Sequence, residues 1–263
     1  MHIQRIFKLI FLVVFLLSGF LSFSQTGKRK DKESKNDTTP DNVLLEKQWS
    51  LGIMVNTNGY GLKFRKGHNL KALHQFMWEI EFSTYKDAKE VKTINPYFPD
   101  SKSYIYGKLN YLYFLRGGIG SQHILTRKPY WGGVQLSALY YGGLSVGITK
   151  PVYLYIVHYT GTGSDMTYEV TTEKYNPDVH YVDNIYGRAS FLTGILNPKI
   201  YPGIYARGGL DFEFGTRYKS IKALEVGAVL DYSVLPIPVM AYSHRQNLFL
   251  TLYVSLSIGK RLN

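Results

Sequence analysis

Residues 247–259, NLFLTLYVSLSIG, carry an aliphatic side chain at every second position from Leu248 to Ile258, with Asn, Phe, Thr, Tyr and Ser between them. A period of two marks a β-strand with one apolar face. The pattern recurs in Trp49, Leu51, Ile53 and Val55, and in Phe76, Trp78, Ile80 and Phe82. It returns in 105–115 and 134–140, in Ile204, Ala206, Leu210, Phe212 and Phe214, and in Leu224, Val226, Ala228 and Leu230. No helical period separates these segments, so the chain beyond residue 47 reads as all-β. The 23 Tyr, 14 Phe and 25 Gly agree with sheet-rich structure.

The segments are divided by turn chemistry. Asn58-Gly59 suits a tight hairpin, and Asn95-Pro96, Asn176-Pro177 and Asn197-Pro198 fall in polar connections. Two connections are long, 87–102 and 160–184. Twelve strands are expected, or ten if 117–126 and 142–149 do not form strands of their own.

The face opposite the aliphatic one decides what the aliphatic one touches. It mixes Gly, Ser, Tyr and Asn with six basic residues, Lys63, Arg65, Lys108, Arg116, Arg188 and Arg207. Six acidic residues accompany them: Glu79, Glu81, Asp211, Glu213, Glu225 and Asp231. A balanced set fits pairing across a closed lumen, whereas the wet face of a sandwich needs no such balance. Strands in lipid must close on themselves to satisfy their backbone groups. The expected fold is therefore a closed antiparallel transmembrane β-barrel with lipid outside and a polar lumen inside. Trp49, Tyr60, Tyr85, Tyr130, Trp131, Tyr159 and Tyr201 are expected at its two interfaces. Tyr104, Tyr106, Phe114 and Tyr141 are expected to point inward and narrow the lumen. The competing architecture is a secreted carbohydrate-binding sandwich or jelly roll.

The start of the chain reads as an address. Arg5 and Lys8 precede LIFLVVFLL at 9–17, and small residues at 22–24 suit cleavage before Gln25. Residues 1–24 are thus a signal peptide, 25–47 a disordered charged periplasmic tail, and 48–263 the barrel. With no cysteine there is no disulfide or thiolate metal site. The formal charge of +12 falls to +10 when Arg5 and Lys8 leave with the signal. Part of the remainder sits in 27–42, a solvated linker; after export no nucleic-acid partner is expected, and outer-membrane lipid is.

TNGYGLKFRKG at 57–67, NPYFPDSKSYIYGKLN at 95–110, TKPVYLY at 149–155 and the terminal LYVSLSIGKRLN resemble an uncharacterised group of outer-membrane β-barrel proteins of the Bacteroidetes type. The resemblance spans most of 48–263 and implies fold and outer-membrane location, without an active site. The chain departs from the widespread outer-membrane pattern by ending on Asn263 rather than an aromatic.

Catalysis has three sequence candidates. GLSVG at 143–147 matches the nucleophile elbow around Ser145, but a β-rich run follows where that elbow needs a helix. His158 and His180 flank a loop holding Asp165, Asp178 and Asp183, which would place acid and base together above the barrel. A Ser–His pair at the lipid boundary is the third. GGIG at 117–120 lacks the Lys-Ser/Thr of a phosphate loop. The histidines, His68, His74, His123 and His244 included, show no metal-ligand spacing. The expected role is a non-enzymatic envelope protein, structural or assembly-linked and working with other envelope proteins, or a narrow solute channel, with no cofactor. The alternative is a hydrolase acting at the loop rim.

Overall fold

Alternation sends successive side chains to opposite faces, and in a sheet that closes on itself those faces become an inside and an outside. The computed structural model of the chain describes residues 47–71, 74–98, 101–126, 133–161, 167–214, 219–243 and 245–262. The expected signal peptide 1–24, the tail up to residue 46, Tyr130, Trp131, Asp165 and His244 lie outside the described residues. No helix occurs among those described.

Eight strands form one closed antiparallel barrel: β1 (Lys47–Asn56), β2 (Gly59–Lys71), β3 (His74–Tyr85), β6 (Asn110–Thr126), β7 (Gln135–Pro151), β11 (Lys199–Glu213), β12 (Ser220–Ile237) and β13 (Gln246–Leu262). Closure is made by β1 against β13, from Lys47 opposite Leu262 to Asn56 opposite Tyr253. Around the barrel the order is β1-β13-β12-β11-β7-β6-β3-β2. Two small sheets stand apart, one pairing β4 (Lys92–Thr93) with β5 (Tyr104–Ile105). The other pairs β8 (Tyr153–Thr160) with β9 (Thr167–Lys174) and β10 (Ile185–Arg188).

The barrel thus has eight strands, correcting the expected twelve or ten. One cause is merging: 117–126 is continuous with the strand before it, and 142–149 with 135–141. Gly117-Gly118 and Gly142-Gly143 interrupt the apolar rhythm without interrupting the ladder, and Gly118 pairs with Gly143. A side chain at inward-facing Gly118 would meet the Tyr205 hydroxyl at 2.5 Å, so the weakened pattern reflects space that a neighbour occupies. The other cause is that strands within the long connections pair with one another rather than with the barrel.

The described parts of connections 57–58, 86–109, 152–198 and 238–245 gather at one end of the barrel, while β1 begins and β13 ends at the other. Apart from the short 57–58 turn, the connections at the first end interlock as a cap. Asn95, fully buried, donates its side-chain amide to Val182 O (2.9 Å) and Ile185 O (2.7 Å), tying the first long connection to the second. Leu109 N donates to Val239 O (2.9 Å) and Ala241 N to Gly107 O (2.7 Å), which folds 238–243 over the mouth. Tyr104, Val152, Leu154, Ile156, Tyr175 and Ile185 form the cap's own apolar core.

Candidate functional site

Inward positions on β2, β3, β6, β11 and β12 bring eight charged side chains together in mid-lumen. They are Lys63, Arg65, Arg116 and Arg207 against Glu79, Glu81, Glu225 and Asp231, none more than 5% exposed. Four cations meet four anions, as burial at low dielectric requires. Arg65 clasps Glu225 through Nη1 (2.6 Å) and Nη2 (3.0 Å) while its Nε donates to Glu79 Oε2 (2.9 Å). Lys63 shares Glu225. Arg116 holds Asp231 with two parallel bonds (2.8 and 2.7 Å) and also pairs with Glu81. Arg207 donates to Glu79 Oε2 (3.0 Å) and pairs with Glu81. Tyrosines supply further donors: Tyr205 OH to Glu79 Oε1 (2.9 Å) and Tyr253 OH to Glu225 Oε1 (2.5 Å). Gly227 leaves room for the second, since a Cβ there would stand 2.8 Å from the Tyr253 hydroxyl.

Of the other charges expected in the lumen, Asp211 and Glu213 are buried towards the end opposite the cap. Asp211 accepts from Gln122 Nε2 (3.2 Å), and Glu213 pairs with Arg261. Arg261 was not among the expected set, although it keeps step with Tyr253, Ser255, Ser257 and Gly259, and that period would have found it. Two expectations are corrected. Lys108 precedes β6 and is buried in the cap, paired with Glu90 (2.6 Å); burial pulls its ammonium below the usual lysine value, against the attraction of Glu90. Arg188 lies exposed on β10. Tyr104 and Tyr106 likewise belong to the cap, whereas Phe114 and Tyr141 do face the lumen. Alternation alone does not say where a strand leaves the barrel wall.

The lumen below the cap is stoppered. Leu112, Phe114, Ile237 and Phe249 pack with Val239 and Met240 from the 238–245 connection, and Tyr85, Ile105 and Tyr201 close around them. Phe249 meets Phe114 and Tyr85 edge-on, with ring centroids at 5.3 and 5.1 Å. Tyr85 and Tyr201, expected in the interfacial girdles, thus serve the stopper, and Tyr159 lies on the cap strand β8. Trp49 and Tyr60 do face outward. Large apolar side chains cover the rest of the outer face; Ile53, Leu144, Ile204, Leu250 and Ile258 are each more than half exposed.

Neither Ser145 nor the His158–His180 loop is assembled as a catalytic site. Ser145 is 3% exposed in the lumen on unbroken β7, with no helix after it. His158 and His180 meet at Glu173 rather than at the expected aspartates, with Nε2 to carboxylate distances of 2.5 and 3.1 Å. His180 Nδ1 accepts from the Asn176 N–H (3.1 Å), which leaves the proton on Nε2, where a metal would have to bind. Among the described residues no cluster of three or more His, Asp or Glu has metal-holding geometry. One Ser–His pair does lie on the outer face: Ser121 Oγ is 2.8 Å from His74 Nε2. That hydroxyl donates to Gln75 O (3.1 Å), Ser121 is only 7% exposed, and no carboxylate among the described residues is bonded to its histidine.

Glu173 ties the cap hairpin together. The Thr171 hydroxyl, then His158 and His180, hold its carboxyl down to about 2. A depressed carboxylate contributes stability that is fully present above the ordinary glutamate value and is lost as pH falls through the folded one. Amide exchange along β9 should therefore be about twofold to fivefold faster in Glu173→Gln than in wild type at pH 7, the range of exposed polar side-chain contacts. That difference should vanish as pH approaches 2; an equal difference at both pH values would contradict it.

No protein-family model and no curated protein matches the chain. Among solved structures it is similar to Neisserial surface protein A, with TM-score 0.38 and 8% identity over 82% of this chain and 96% of that one. It is also similar to Ail, the attachment invasion locus protein of Yersinia pestis. Ail with a heparin analogue, sucrose octasulfate, gives TM-score 0.36 and 10% identity; Ail without it gives 0.36 and 8%; each covers 82% of this chain and 97% of the other.

Proposed function

We propose that the chain is an integral outer-membrane β-barrel whose lumen is sealed. It holds a folded cap at the cell surface and serves as a structural or assembly partner in the envelope, alongside the Bacteroidetes-type proteins its motifs resemble. The observation carrying this reading is the inverted polarity of the barrel. Ion pairs fill the inside while Ile53, Leu144, Ile204, Leu250 and Ile258 stand bare outside, an apolar belt that a water-soluble monomer does not carry. Tyr60, Tyr113 and Tyr232 near the cap, and Trp49 and Tyr140 near the opposite rim, suit the headgroup levels. Long connections gathered at the end away from both ends of the sheet support placing the cap outside the cell. The paired lumen and apolar stopper favour a sealed barrel over a solute channel.

Purified protein should resist carbonate extraction, need detergent, migrate faster on a gel when unboiled, and give no conductance steps in planar bilayers. Stable steps from wild-type protein would establish a channel instead. Extraction into carbonate would end the membrane reading.

A further inference from the structure

Between β10 and β11 the chain reads Ser190-Phe-Leu-Thr-Gly-Ile-Leu-Asn197, and this stretch is oddly apolar for a surface connection. Leu196 is 90% exposed, Leu192 69%, Phe191 58% and Ile195 51%. The segment is nevertheless well built. Thr193 N donates to Ser190 O (3.1 Å), Ile195 N to Leu192 O (3.2 Å) and Asn197 N to Gly194 O (3.2 Å), so three successive turns shape it. Ala189 N donates to Tyr153 O (3.2 Å), fastening its start.

Its position follows from register. Thr149 faces the lumen, so Lys150 faces out, and it pairs with Tyr111 of β6 on the same face. Phe191 lies across both: its ring is edge-on to Tyr111 at 6.3 Å, Lys150 Nζ stands 3.9 Å from its centroid, and Lys150 donates to its carbonyl. Lys150 is thereby 6% exposed although it points away from the lumen. The turns are thus laid against the outside wall at the cap-side rim. Directly after them β11 begins with Lys199 and then Ile200, which is 66% exposed on the outer face.

We propose that residues 191–196 form a lateral membrane anchor, with Leu192, Ile195 and Leu196 seated among lipid chains at the headgroup boundary. This rests on the membrane-barrel reading and goes beyond it, because it places a connection, not only strands, in lipid. Continuity with the belt at Ile200 argues for lipid rather than a protein ligand. Covering Lys150 has a matching sense: the turns screen a charge that would otherwise project from the wall at the edge of the apolar zone.

The absence of cysteine allows single labelling sites. Leu196→Cys, Leu144→Cys on the barrel wall and Tyr97→Cys on the cap, each bearing an environment-sensitive fluorophore, are compared in phospholipid vesicles. Brominated lipids serve as the membrane quencher and iodide as the aqueous one. Leu196 should be quenched by lipid brominated near the headgroup and shielded from iodide, Leu144 by deep bromines, and Tyr97 by iodide alone. Iodide quenching at Leu196 with lipid quenching at Leu144 would overturn the anchor and leave the barrel reading standing. Shielding of Leu196 from both quenchers would overturn it in favour of a protein partner or a second copy. Iodide quenching at Leu144 as well would remove the barrel reading and the anchor with it.

Discussion

Glu225→Leu should lower the unfolding free energy of the barrel by about 3–5 kcal/mol, the cost of leaving a buried ion without its partner. Glu225 is wholly buried and receives Lys63, both terminal nitrogens of Arg65 and the Tyr253 hydroxyl. Its removal leaves the four cations of this buried network facing three of its anions. Arg65 keeps Glu79, but Lys63 keeps nothing of opposite charge that it now touches. The uncompensated charge therefore falls on Lys63. Adding Lys63→Met to Glu225→Leu restores the balance and should recover about 0.5–3 kcal/mol, the usual coupling between contacting residues. Urea unfolding in bilayers or detergent, followed by the heat-sensitive gel band, measures both. A double variant no more stable than the single one would mean that the lumen is hydrated and the network is not electrostatically closed.

Leu144→Arg should cost about 2–4 kcal/mol, the penalty for arginine on the lipid face of a barrel near the bilayer midplane. Leu144 is 70% exposed near the middle of β7, with Gly117 of β6 and Ile204 of β11 as its cross-strand neighbours. An exposed leucine on a water-soluble protein would give the opposite outcome, with unchanged stability and better solubility. The same arginine at Tyr97 on the cap, 69% exposed, should change stability by no more than a few tenths of a kcal/mol. Folding yield into vesicles and the urea midpoint separate these cases. Equal tolerance at both positions would place Leu144 in water.

The two variants probe opposite faces of one wall, and those faces were legible from spacing. Leu51, Ile53 and Val55, and Leu248 through Ile258, announce an outer surface because β-geometry sends alternate residues to the same side whatever their neighbours do. For the same reason Lys63, Arg65, Glu79, Glu81, Arg116, Arg207, Glu225 and Asp231 could be assigned to the other side. Where the rule ran past the barrel it misplaced Lys108 and Arg188, since a short strand in a connection obeys the same period as one in the wall. The strand count failed at Gly117-Gly118 and Gly142-Gly143 because glycine carries no signal of facing, and what leaves no room for a side chain at Gly118 is the hydroxyl of Tyr205, far away in the chain.

What the amino-acid order determined by itself was therefore local: extended backbone, one apolar side, one polar side with balanced charge. Only the tertiary structure decided that eight strands close the cylinder, that Arg65 clasps Glu225 some 160 positions away, and that Val239 and Met240 fold in to stopper the mouth. The physical reason is that facing depends on the bond geometry of adjacent residues. Partnership depends on register and closure, which are set only when all eight edges have found one another.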